Sequence, residues 1–80
     1  MSDYKFDYNI ANEHSHEIFE HTCRLIENID GVEKGEYVAD EDGSEMQFFR
    51  RGGEKAAVHS SAFLEVVYVT SEFSLDPWLL

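Results

Sequence analysis

The chain has 80 residues, with 17 Asp and Glu against 6 Lys and Arg and a formal net charge of −11. Its 42% apolar and 14% aromatic residues fall in patterned runs, which excludes a disordered acidic tail. Direct nucleic-acid binding and docking to an anionic membrane both need a cationic stripe that is missing here, and no run approaches the ~20 apolar residues of a bilayer span.

Residues 3–10 alternate: Tyr4, Phe6, Tyr8 and Ile10 are apolar, and Asp3, Lys5, Asp7 and Asn9 are polar. That period of two predicts a strand with one buried face. Asn12 then offers a helix cap, and Glu13 and Glu17 suit the positive end of the helix dipole. Ile18, Phe19, Thr22, Cys23, Leu25, Ile26 and Ile29 recur at spacings of three and four, so the pattern predicts a helix over 12–29 with one face to the core. Glu20 and Arg24 form an i,i+4 ion pair on its other side. Gly31 is expected to end the helix.

The remainder reads as antiparallel sheet. Strands are expected over 35–41, 44–51 and 54–60, joined by Asp42-Gly43 and Gly52-Gly53 turns. Residues 62–71 are β-branched and aromatic with apolar content on both faces, which predicts a central or doubly covered strand. Residues 54–71 are either one long strand bent by a bulge at Ser60-Ser61 or two strands. The fold class is α+β: one helix in the N-terminal half packed on a mostly antiparallel sheet of four or five strands, in the order β-α-β-β-β(-β). One domain spans 1–80. Such a small body buries only roughly 60–65% of its unfolded surface, so its core is thin.

Residues 74–80 form an apolar tail, Ser-Leu-Asp-Pro-Trp-Leu-Leu. Chain ends are usually polar. The tail is expected to fold back over the open sheet face; the sharper reading has Trp78 anchoring a second subunit or another protein.

Catalytic signatures do not survive inspection. His14, Glu17 and His21 stand at i, i+3 and i+7, one side of the predicted helix, and their donor types suit zinc. The His-Glu-x-x-His order is absent, however, and flanking solvated histidines are the simpler reading. Cys23 falls inside the apolar stripe, which favours an inert thiol. As the only cysteine it permits no internal disulfide. With no secretory leader visible at the N-terminus, a reducing, cytoplasmic location is the expectation. Asp40, Glu41, Asp42 and Glu45 invite a calcium reading, but aligning Gly43 with an EF-hand glycine puts Val38 and Phe49 where carboxylates belong. His59 and Ser60 are neighbours on a strand and point to opposite faces, so they are no nucleophile–base pair. No cofactor is expected.

The sequence therefore reads as a non-enzymatic protein that binds another, basic protein. Glu33, Glu36, Asp40, Glu41, Asp42 and Glu45 are its expected anionic contact surface, and Trp78 is an anchor. By analogy of composition and size, small inhibitors, immunity proteins, antitoxins and nucleic-acid mimics directed at basic sites work this way. The alternatives are a metal-binding protein using His14, Glu17 and His21, and a homodimer paired through a sheet edge or the tail.

Overall fold

The computed structural model describes residues 4–80. The first predicted strand begins at Asp3, which lies outside them. Five strands, β1 (Phe6–Ala11), β2 (Val32–Ala39), β3 (Glu45–Arg51), β4 (Glu54–Ser61) and β5 (Val66–Ser71), form one antiparallel sheet in the order β1-β5-β4-β3-β2. Helix α1 (His16–Glu27) packs on one face, and a single turn, α2 (Asp76–Leu79), closes the chain. This is the α+β architecture that the patterning predicts. Because β1 and β2 are the two edge strands, the connection through α1 crosses the whole sheet. The other strands follow one another as hairpins.

Strand alternation sets the faces. The partners Tyr8, Val69, Val58 and Gln47 lie in one register row and turn toward α1. Phe49, Ala56, Val58, Val67 and Val69 of the sheet meet Phe19, Ile26 and Ile29 from the helical segment, and Phe73 and Leu75 complete the core. Each such side chain contributes about 1.5–3 kcal/mol of burial when large.

The helix is shorter than its periodicity suggests. Its cap is Ser15 in place of Asn12: the Ser15 hydroxyl accepts the Ile18 N–H at 3.2 Å. Asn12 instead accepts a hydrogen bond from the Asn9 side-chain amide at 2.9 Å and belongs to the turn after β1. The C-cap is Asn28, and Gly31 (φ +85°) serves the following turn, where Val32 N–H reaches Ile29 O. Glu20 and Arg24 do pair, at 3.4 Å.

Residues 54–71 make two strands. A turn over 62–65 reverses the chain and brings Ser61 opposite Val66. Serine hydroxyls hold it: Ser61 Oγ accepts the Leu64 N–H and Ser44 Oγ accepts the Ala62 N–H. Glu65 takes the left-handed conformation (φ +54°) that lets β5 start. No bulge at Ser60-Ser61 is needed. β5 is central, between β1 and β4, but it is covered on one face only.

The tail docks in cis on the face opposite the expected one. Leu75 is fully buried in the core under α1. Trp78 and Leu79 lie against Ile10, Ile18, Thr22 and Leu25. Two hydrogen bonds fix the position: the Tyr8 hydroxyl accepts the Leu75 N–H at 2.8 Å and donates to Asp76 Oδ1 at 2.6 Å. Burying Leu75 beside the helix core gives it a site already dry, whereas the far face would leave it in water. Among the described residues no helix covers the second face of the sheet.

Candidate functional site

Two regions gather chemistry-bearing side chains. The first is a groove of about 570 Å³ between α1 and β2, lined by His16, Glu20, Cys23, Lys34 and Tyr37 among others. Beside it Glu45, with only 7% of its side chain exposed, accepts the Tyr37 hydroxyl at 2.7 Å and His16 Nδ1 at 2.8 Å. His16 Nε2 lies 2.6 Å from Glu20. Both ring nitrogens thus face carboxylates, which favours the imidazolium, and the hydrogen bond to Glu45 is the main reason the His16 pKa is raised. A ring with both N–H groups engaged has no lone pair for general-base work. The same Glu45 bond raises the Tyr37 pKa. Burial pushes the Cys23 thiol up to about 12, so it is no nucleophile at neutral pH. The network ties the start of α1 to β3 and β2.

The second region is the bare sheet face. Strand register writes it as rows. Across the middle run Asn9, Tyr68, His59, Met46 and Val38. The next row holds Asp7, Thr70, Ala57 and Phe48. A third contains Lys55, Arg50 and Glu33. The edge strand β1 is polar on this face, whereas Val38 on β2 and Met46, Phe48, Ala57 and Tyr68 on the central strands put apolar and aromatic side chains where an ordinary solvated face would carry polar ones. The Tyr68 and His59 rings stack at 4.3 Å with 3° between their planes. His59 Nε2 lies 3.0 Å from Thr70 Oγ1. Desolvation lowers the His59 pKa, which keeps the ring neutral at pH 7.

Charge is unevenly distributed on this face. Arg50 meets Glu33 at 3.8 Å, and the Lys55 backbone N–H donates to the Glu72 carboxylate at 2.6 Å. The opposite end is the β2–β3 turn. There Asp40 and Asp42 join Val38, Met46, Phe63 and the Tyr68–His59 pair around a hollow of about 290 Å³. Among the described residues neither Asp40, Glu41 nor Asp42 pairs with a lysine or arginine. The Ser44 backbone N–H bonds Asp42 and lowers its pKa, so its charge persists well into acid. Phe63, in the β4–β5 turn, is 86% exposed.

The residues singled out by sequence divide accordingly. Glu33, Glu36, Asp40, Glu41 and Asp42 are exposed and follow β2 and its turn. Glu45 does not belong with them: it is buried on the helix side, held by Tyr37 and His16. It alternates with Met46 on β3 and points to the helix side, although both residues border the hollow at the β2–β3 turn. Trp78 lies on the helix side, 38% exposed, with the Arg51 guanidinium 5.8 Å above its ring. It is remote in the fold from the bare face. The set His14, Glu17 and His21 is split, because His14 precedes the helix and its Nδ1 bonds Ser60 Oγ at 2.8 Å. Among the described residues no three His, Cys, Asp or Glu side chains come together as metal ligands. The signal for Phe63 and the aromatic row was present in residues 62–71, which are apolar on both faces.

Both sheet edges are blunted. β2 carries a bulge between Lys34 and Tyr37 and β1 one between Asn9 and Ala11. The Gln47 amide nitrogen locks the first, bonding the carbonyls of Gly35, Glu36 and Phe48 at 2.8–3.1 Å. Bulges and edge charges hinder strand addition. Among the described residues, no helix is long and apolar enough to cross a membrane. No family model matches the chain, and neither any curated protein nor any solved structure is significantly similar to it.

Proposed function

We propose that the protein acts by binding a basic protein on the bare face of its sheet. The observation that carries this reading is the largely apolar row Val38–Met46–His59–Tyr68, with Phe48 behind it, bordered at one end by carboxylates that have no Lys or Arg partner among the described residues. Contiguous apolar surface rimmed by polar residues marks protein interaction sites. A net charge of −11 steers a cationic partner to it and repels a second copy of the chain. The role is that of an adaptor, or of an inhibitor that occludes a basic site on its target. The engaged groups are the sheet face and Asp40, Glu41 and Asp42, not Glu45 or Trp78. The inert Cys23 and the doubly engaged His16 support a binding role over a catalytic one.

Affinity capture from cells expressing the protein tests this. Wild type should retain a protein rich in Lys and Arg. Val38→Lys combined with Phe63→Lys should lose it, and Leu25→Lys on the helix should not. Rebinding of the two purified proteins must reproduce the pattern. A partner lost equally with Leu25→Lys, or one that is itself acidic, contradicts the proposal.

A further inference from the structure

Resting on that reading of the sheet face, we infer that the hollow at the β2–β3 turn is a receptor for an arginine side chain of the partner. Its walls and its charges suit a guanidinium in different ways. Tyr68, stacked on His59, and the protruding Phe63 offer aromatic surface, over which a planar cation is attracted to the ring quadrupole. Met46 and Val38 supply apolar floor for the methylene stem of a long side chain. Asp40 and Asp42 provide carboxylates that a forked donor meets with charge-assisted hydrogen bonds. At about 290 Å³ the hollow sits at the bottom of the ~300–1,000 Å³ range of small-molecule pockets, the scale of one or two side chains.

The rest of the face does not repeat this combination. The hollow at its other end, about 440 Å³, is lined by Glu33 and Glu36 but also by Lys34, Arg50 and Lys55. Cations already occupy its surroundings. The helix-side groove holds Lys34 and Arg24 with its acids. The hollow beside Trp78 offers a single carboxylate without a Lys or Arg partner among the described residues, Glu17, whereas the hollow at the turn joins the exposed Phe63 to two, Asp40 and Asp42. Arginine is favoured over lysine because the guanidinium stacks flat on rings and sheds water more readily than an ammonium. A second copy of the chain is a poorer occupant. It would bring another −11 to a face whose end is already negative, and its own Arg50 is engaged with Glu33.

The test uses the full chain and two defined probes, acetyl-(Gly-Arg)4-amide and its lysine counterpart, followed by amide NMR at low and physiological salt. The arginine peptide should move the resonances of Val38, Met46, Phe63 and Tyr68 and bind at least threefold tighter than the lysine peptide. Phe63→Ala and Asp40→Asn should each weaken it at least fivefold. Glu17→Gln, which removes the same charge from the helix side, should weaken it less than twofold. Phe63 is exposed, and an unchanged amide spectrum outside the turn shows that its variant is folded; Val38→Ala provides a second, independent removal of wall surface. Binding that perturbs the Phe48 and Ala57 row and ignores Phe63→Ala overturns the arginine hollow and leaves the sheet-face reading standing. Equal loss with Asp40→Asn and Glu17→Gln, or shifts confined to the helix, overturns both. So does a chain that sediments as a dimer dissociated by Phe63→Ala, since the occupant would then be a second copy.

Discussion

Replacing Tyr8 by Phe isolates what holds the tail. The ring keeps its shape in the core, so no cavity forms. What disappears is the hydroxyl between Leu75 N–H, 2.8 Å away, and Asp76 Oδ1, 2.6 Å away. Leu75 is fully buried, and its N–H would be left without an acceptor, at a cost of about 1–3 kcal/mol. Asp76 is exposed, so water replaces its lost donor and little is forfeited on that side. The expected loss is about 2 kcal/mol. At about 4–8 °C per kcal/mol for a domain of this size, Tm falls by about 8–16 °C. Leu75→Ala, which empties a core site, costs more, about 2–5 kcal/mol. Urea unfolding followed by far-UV circular dichroism and by Trp78 fluorescence measures both effects, because the only tryptophan sits in the tail. A loss below about 0.5 kcal/mol with unchanged Trp78 emission would refute the docked position of the tail and, with it, the claim that the far sheet face is the uncovered one.

Other consequences are open to simpler measurements. Gln47→Ala removes the amide that gathers three carbonyls at the β2 bulge; about 2 kcal/mol is lost, and hydrogen exchange accelerates over residues 33–37 before it does in β4. The His16 ring should titrate above its ordinary 6.5 and the His59 ring below it, read from histidine side-chain NMR. The signs then oppose. The stability that His16 contributes is complete below pH 6.5 and fades as pH rises through its raised folded value; that linked to His59 is present above 6.5 and is lost as pH falls through its lowered folded value. His16→Asn should accordingly destabilise most in mild acid. Cys23, whose thiol is pushed up to about 12 by burial, holds far less thiolate at pH 8 than an ordinary cysteine, and iodoacetamide should modify it at least tenfold more slowly in the native chain than in urea. Val38→Thr, at the exposed end of the row, should change stability by about 1 kcal/mol or less yet weaken the basic partner at least tenfold; a stability loss with intact binding would make that row structural.

Much of this fold is written in local pattern. The alternation of Phe6, Tyr8 and Ile10, the helical spacing of Phe19, Thr22 and Ile26, and the Asp42-Gly43 turn each follow from short-range geometry. The departures come where a long-range partner decides. Asn12 and Ser15 are both competent caps, and the choice fell to Ser15 because Asn12 is engaged by Asn9. Glu45 looks like one more acid of the turn until strand register turns it inward, where His16, 29 residues earlier, and Tyr37 receive it. The tail's apolar residues announce burial but not which face, and Tyr8 OH, 67 residues from Leu75, settles that. The hollow was illegible for a related reason: Asp40 and Met46 come from the β2–β3 hairpin and Phe63 and Tyr68 from the β4–β5 hairpin, and only the registry of β3, β4 and β5 brings them together.

The composition of the uncovered face follows from how few apolar residues a chain of this size can spare. One helix covers one side of five strands, and Leu75, Trp78 and Leu79 are committed to that same side. A face left to water is expected to alternate to Thr, Lys or Glu at each outward position, as Lys5, Asp7 and Asn9 do on the β1 segment. The central strands instead place Met46, Phe48, Val66 and Tyr68 outward. All four are only half-buried, and among the described residues no helix covers them, so folding dries them in part and leaves apolar surface on this face. An apolar centre with charged residues at its ends is the surface that the proposed partner would dry further. On that proposal the acids beside it disfavour a second copy of this chain and favour a cationic partner.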